Sequence, residues 1–71
     1  QAEEALKTLG LNDVRVRQHN NLARIEVAQQ EIELVSTELR AKIITAVKDA
    51  GFAYVTLDLE GFRSGSMNIS L

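Results

Sequence analysis

The sequence predicts an α+β fold in which two helices cover one face of a three-stranded sheet. Two segments carry apolar residues at helical spacing, and three others alternate apolar and polar residues with a period of two, which is typical of strands with one buried face. Two stretches, 5–16 and 46–57, also share a pattern in which a helix end is followed by a glycine and an apolar residue that opens a strand. The predicted order is α-β-β-α-β in a single small module, residues 1–71.

The first helix is predicted from Ala2 to Leu9. Its apolar residues fall on one stripe; they are Ala2, Ala5, Leu6 and Leu9. Gly10 follows this helix and Gly51 follows the second one. Both glycines fit the left-handed position just past a helix end, where a Cβ atom is unfavourable.

The second helix is predicted to begin at Gln30 or Ser36 and to end at Ala50. The pattern leaves open whether a break falls at residues 35–37. Ser36 or Thr37 is expected to cap the second half of this helix, since both side chains can accept a hydrogen bond from a free backbone amide. One apolar face runs along the whole segment, through Ile32, Val35, Leu39, Ile43 and Val47.

Three strands are predicted, at residues 13–19, 22–27 and 53–60. Val55, Leu57 and Leu59 are the expected buried positions of the third strand. Asn20 and Asn21 form the turn between the first two strands, because Asn tolerates a positive φ better than most residues.

The turn sets a register in which Arg15 faces Glu26, Arg17 faces Arg24 and His19 faces Leu22. The second helix then carries the chain to the third strand. A right-handed crossover that leaves room for the first strand predicts the strand order 2-1-3, in an antiparallel or mixed sheet.

Composition excludes several functions. The chain has 71 residues, a net charge of −2, 45% hydrophobic and 25% charged residues, and no cysteine. Disulfides and thiolate chemistry are therefore absent, disorder is not expected, and a general nucleic-acid surface would need more basic charge. No signal or membrane-spanning segment is visible, so we expect a cytoplasmic protein without a membrane partner.

The size of the chain predicts a thin core. A domain this short buries only about 60% of the surface that its unfolded chain exposes. We therefore expect either oligomerisation or a neighbouring domain to add stability. Because the chain starts at Gln1 within a predicted helix, we expect it to be part of a longer protein.

The polar face of the predicted sheet carries the candidate site. Arginines opposite each other repel, and a phosphate or carboxylate between them relieves the repulsion. The alternative is a solvated face with Arg15–Glu26 and Arg17–Asp58 pairs, and composition and spacing alone favour it because exposed ion pairs are common. The residues expected on this face are Arg15, Arg17, Arg24, Glu26, Tyr54, Thr56, Asp58 and Glu60.

Two other features of the sequence are candidate binding sites. His19 stands beside the turn without clustered cysteine or histidine, so an exposed turn residue is favoured over a metal ligand. The run 61–68 is rich in small residues and contains Arg63. It is either an anion-binding loop or a flexible tail. No nucleophile–base pair, metal cluster or glycine-rich phosphate loop is present, so no catalytic or metal-binding residue is predicted.

Three segments of the chain carry a family pattern: Val14–His19, Leu22–Val27 and Gly51–Asn68. The first two resemble the hairpin, and the third resembles the C-terminal signature, of the LarE family of ATP-dependent sacrificial sulfur transferases. The family usually has a glycine in the turn where Asn20 and Asn21 stand. The resemblance covers nearly all of the chain in collinear order.

The resemblance implies an upstream PP-loop domain in the same polypeptide, which binds ATP and magnesium. Members adenylylate a pyridinium carboxylate and install sulfur, building the nickel-pincer cofactor of lactate racemase. The sulfur comes from a cysteine of the enzyme or from a cysteine-bound iron–sulfur cluster, and members form homo-oligomers. Neither the ATP loop nor a cysteine occurs in these 71 residues, so no cofactor is expected in this part.

The resemblance also implies residue roles. Arg15 and Arg17 are expected to contact the phosphate of a small-molecule substrate, with Glu26, Asp58 and Arg63 in the wall of the same site. The predicted register, which places Arg24 opposite Arg17, adds Arg24 to this site. A different function remains open, in which the chain is a non-catalytic interaction or oligomerisation module that pairs through an open sheet edge or the bare sheet face.

Overall fold

A computed structural model describes residues 2–11 and 13–61, and it confirms the α+β class. Three short helices and one 3-10 turn lie on one side of a mixed three-stranded sheet. The elements are α1 (Ala2–Lys7), β1 (Val14–His19), β2 (Leu22–Val27), a 3-10 turn (Gln29–Glu31), α2 (Ile32–Ser36), α3 (Arg40–Asp49) and β3 (Tyr54–Leu57).

Local turn chemistry agrees with the sequence. Gly10 and Gly51 have φ values of 102° and 111°, and Asn20 has a φ of 56°. The hairpin register is the predicted one, with His19 opposite Leu22 at its tip. Side-chain size at these turn positions therefore fixes where α1, the hairpin and α3 end.

The predicted strand order is wrong. The sheet runs β1-β2-β3, with β1 antiparallel and β3 parallel to β2. The reason lies in the inward positions of the strands, because the central strand needs an apolar row along its full length. β2 supplies one, with Ala23, Ile25 and Val27 at most 1% exposed, whereas β1 ends its row at the exposed Gln18.

The second helical segment is broken, which the sequence left open. α2 ends at Ser36, and α3 begins at Arg40. The expected cap is wrong, because the hydroxyl groups of Ser36 and Thr37 both donate to the carbonyl of Glu33, at 3.2 and 2.7 Å. These hydroxyls therefore end α2 instead of capping α3, which has no side-chain cap.

The third strand is shorter than predicted. Asp58 begins a tight turn, since its Oδ1 accepts the amide of Glu60 at 3.0 Å and its carbonyl accepts the amide of Gly61 at 3.0 Å. Leu59 is consequently 80% exposed and does not enter the core.

The core lies between the apolar sheet face and the helices. Leu6, Leu11, Ile25, Val27 and Val47 are its largest fully buried side chains. α1 packs on β1 and α3, and α3 also packs on β3. With the helices all on one side, the opposite face of the sheet carries the polar side chains.

Candidate functional site: the outer face of the sheet

The outer face is built by the period-two alternation of the strands. Val14 and Val16 of β1 turn toward the helices, so Arg15 and Arg17 turn away from them. On β2, Arg24 and Glu26 alternate with the buried residues in the same way. The pairing places Arg15 beside Glu26 and Arg17 beside Arg24.

Three ion pairs connect this face across all three strands. The Nη1 atom of Arg24 lies 2.8 Å from Oε2 of Glu26 and 2.9 Å from Oδ2 of Asp58. The Nε atom of Arg17 lies 3.3 Å from Oε1 of Glu26. We call these four residues the charge network; Glu26 bridges the two arginines, and Arg24 bridges the two carboxylates.

The network resolves the repulsion expected between Arg17 and Arg24. Glu26 accepts a hydrogen bond from each of them, one on each oxygen. The expected Arg17–Asp58 pair is wrong, because β2 separates β1 from β3 and Arg24 is the arginine that reaches Asp58. An external anion is therefore not needed to hold the two arginines together.

The two arginines of the charge network differ in which guanidinium nitrogens remain available to a ligand. Arg24 contacts both carboxylates through Nη1, so its head group is fixed from two sides. Arg17 uses Nε, and its side chain is 47% exposed. Its two terminal nitrogens have no partner among the described residues and form the edge of the guanidinium that suits a bidentate oxyanion.

Arg15 belongs to the same face. It is exposed and stands two residues along β1 from Arg17, so period-two alternation directs both side chains away from the helices.

The remaining predicted site features are spread more widely. Arg63 lies outside the described residues, as does the run 61–68 apart from Gly61. His19 is exposed at the end of β1. Thr56 donates to the carbonyl of Ala23 at 3.0 Å and so supports the junction of β2 and β3.

No group of three side chains of the metal-binding types occurs within residues 2–11 and 13–61. The sequence also has no glycine-rich phosphate loop between a strand and a helix. Within the same ranges, every helix falls short of the length and apolarity required to cross a bilayer.

Leu59 is a surface residue that the alternation pattern does not predict. Tyr54 is 60% exposed, as expected for the polar face, whereas Leu59, one of the expected buried positions of the third strand, is 80% exposed. The Asp-Leu-Glu-Gly run, in which Asp58 precedes a glycine by three positions, is typical of a turn and was the signal against a longer strand.

The fold and this face together define a small α+β module with arginines and carboxylates on the outer face of its sheet. No family model matches the chain. Among curated proteins, it is 47% identical over 72 residues to the pyridinium-3,5-bisthiocarboxylic acid mononucleotide synthase of Lactiplantibacillus plantarum, covering 99% of this chain and 25% of that protein. It is also 46% identical over 68 residues to an uncharacterized protein of Synechocystis sp., covering 94% of this chain and 25% of that protein.

The chain belongs to the LarE family, as the sequence resemblance predicted. It spans about a quarter of the length of the curated relatives that it matches. The activity of a whole protein of this kind is therefore a matter for proposal.

Proposed function

We propose that this chain is the substrate-phosphate-binding part of an ATP-dependent sulfur transferase that acts in nickel-pincer cofactor biosynthesis. The observation that carries the proposal is that Arg15 and Arg17 lie on the same exposed face of the sheet. The relative from Lactiplantibacillus plantarum is named for a pyridinium mononucleotide, and a mononucleotide carries a phosphate. Guanidinium groups bind phosphate through charge-assisted hydrogen bonds that are often bidentate.

The charge network orients the binding groups. Asp58 and Glu26 hold Arg24, Glu26 in turn holds Nε of Arg17, and the terminal nitrogens of Arg17 then face solvent. Ordering a long side chain in advance reduces the entropy that binding would otherwise cost. Arg24, Glu26 and Asp58 thus act as positioning residues, while Arg15 and Arg17 contact the phosphate.

Sulfur donation and ATP activation belong to other parts of the protein in this proposal. The 71 residues contain no cysteine, so the sulfur donor lies outside them. A PP-loop domain of the same polypeptide would bind ATP and magnesium, and a homo-oligomer in the cytoplasm is the proposed state. The chain alone is inactive.

The test replaces Arg15 and Arg17 by Ala in the longer protein and measures the affinity for a pyridinium mononucleotide by calorimetry. Charge-assisted hydrogen bonds contribute about 1.5–3 kcal/mol each, so the double variant should bind at least about a hundredfold more weakly. The matched control, K42A/K48A, removes two exposed positive charges from α3 on the other side of the sheet.

The dephosphorylated nucleoside makes the test specific. Its affinity should be the same for the unaltered protein and for the R15A/R17A variant, because neither arginine then has its ligand. Unchanged mononucleotide affinity in R15A/R17A, or an equal loss in K42A/K48A, removes the proposed role of this face.

A second candidate function is assembly without catalysis. The outer edge of β3, which is unpaired among the described residues, favours it, since the backbone groups of an edge strand can pair with another chain. Light scattering on the 71-residue chain distinguishes the two functions: a folded monomer at all concentrations speaks against a role in self-assembly.

A further inference from the structure

The two edges of the sheet are not equivalent. On the β1 edge, Oε2 of Glu3 accepts the backbone amide of Val16 at 3.0 Å. That amide faces away from β2, so the α1 carboxylate occupies a position where a neighbouring strand would bind. The long charged side chains of Arg15 and Arg17 further disfavour strand addition at this edge.

The β3 edge is open. The amides of Tyr54 and Asp58 donate to carbonyls of the β2 side, those of Asn21 and Ile25. In a parallel ladder a residue directs both its N–H and its C=O to the same neighbour, so the intervening residues direct theirs to the other side. Val55 and Leu57 therefore present backbone donors and acceptors outward, and no further strand lies there among residues 2–11 and 13–61.

An apolar groove of about 180 Å³ runs beside this open edge. It lies between β3 and the α2–α3 segment, and its walls are formed mainly by buried and half-buried apolar side chains. Parallel strands are normally covered on both faces and flanked by neighbours, because their crossover helices bury them. A half-covered parallel strand at the end of a sheet is thus incomplete. The walls that matter here are Val35, Ile44, Val55 and Leu57.

One charge marks the mouth of the groove. Arg40 lines it and is exposed. The ion pairs within residues 2–11 and 13–61 all belong to the outer face, and none involves Arg40. A chain that lies along the groove would complement this site with an acidic residue.

We propose that the open edge of β3 and its groove receive a β-strand from another part of the same polypeptide, with apolar side chains in the groove and a carboxylate at Arg40. The inference rests on the proposed function only in taking the chain as one part of a longer protein. The relatives are about four times as long as this chain, and a tethered strand has a high effective concentration.

A second copy of the chain is a poorer occupant. β3 has only four residues, and a two-fold pairing would join just Val55 and Leu57 to their counterparts. Stable protein interfaces bury about 1,200–2,000 Å² in total, far more than two such short strands provide.

Hydrogen exchange of single amides in the longer protein tests the proposal. The amides of Val55 and Leu57 should exchange as slowly as that of Thr56, which lies on the β2 side of the same strand. Ile44→Glu places a charge in the groove and should accelerate exchange at Val55 and Leu57 by about ten- to a hundredfold, as expected for the loss of one or two net hydrogen bonds. The Thr56 amide should stay protected.

Thr45→Glu is the matched control, because Thr45 is the exposed neighbour on α3 and does not line the groove. If Ile44→Glu also accelerates exchange at Thr56, that variant has lost its fold. Arg40→Glu is then the variant to use, because it removes no core packing. It should accelerate exchange at Val55 and Leu57 in the same way.

Fast exchange at Val55 and Leu57 beside a slow Thr56 in the unaltered protein overturns the proposal. Protection that appears only at concentrations where the protein self-associates overturns it as well, in favour of a second copy. Neither outcome affects mononucleotide binding by Arg17, so the failure of this inference and that of the proposed function are separately visible.

Discussion

Replacing Arg24 by Met tests whether the charge network holds the outer face together. Met keeps most of the apolar stem of the side chain and removes the guanidinium group, which lies 2.8 Å from Glu26 and 2.9 Å from Asp58. The variant thus separates the charge contribution from the packing contribution.

The expected cost follows from the burial of the three partners. Exposed ion pairs contribute roughly 0.2–1 kcal/mol each, and well-buried charged hydrogen bonds about 1.5–3 kcal/mol. Arg24 is 38% exposed, but Glu26 and Asp58 are only 12% and 22% exposed. With Arg17 still paired to Glu26, we expect a loss of about 1–2 kcal/mol, or a fall in Tm of roughly 5–15 °C for a domain of this size.

The assay is urea and thermal unfolding of the 71-residue chain followed by circular dichroism. Lys42→Met is the control, because Lys42 is exposed on α3 and has no ion pair among the described residues. The difference between the two variants should shrink in about 1 M salt, where charges are screened over a few ångströms. Equal stability of the two variants would refute the idea that Arg24 links the strands.

Two further changes test local features of the fold. Gly61→Ala should lower the free energy of unfolding by about 2 kcal/mol or more, because the new Cβ would lie 3.0 Å from two neighbouring atoms at a φ of +83°. Gly10→Ala meets open space and should cost only the conformational contribution of about 1 kcal/mol. Equal losses in urea unfolding would contradict the steric contribution at Gly61. Glu3→Ala should speed exchange of the Val16 amide by about three- to tenfold, and Glu3→Gln, which keeps an acceptor oxygen, by less; an unchanged Val16 rate would show that the Glu3 contact does not protect this edge.

The local parts of the fold could be predicted from the sequence because the responsible interactions lie within a few residues. Gly10, Gly51 and Asn20 each occupy a backbone conformation that other residues adopt only at a cost. The Arg15–Glu26 and Arg17–Arg24 register followed from a two-residue turn. The side of the sheet to which the arginines point followed from strict alternation with valine.

The non-local parts could not be derived in the same way. The strand order depends on which strand has an unbroken apolar row, and the decisive residue was Gln18 at the end of β1. The partners of the arginines then changed with the order, since Asp58 lies one strand away from Arg24 and two from Arg17. The prediction for Leu59 is wrong because the apolar–polar alternation of the sequence continues beyond the point where the strand ends and the turn at Asp58 begins.

The shared carboxylate of Glu26 has a consequence for ligand choice. Arg17 is already satisfied on one edge by an internal acid, so an arriving anion is in competition with a resident one. A ligand with a single negative charge would gain little by displacing or joining it. A doubly charged oxyanion could contact Arg17 and Arg15 together, while Glu26 pairs mainly with Arg24. Such a ligand would gain from both guanidinium groups. Under the proposed function, this competition would favour the phosphate of a mononucleotide over the carboxylates of ordinary metabolites.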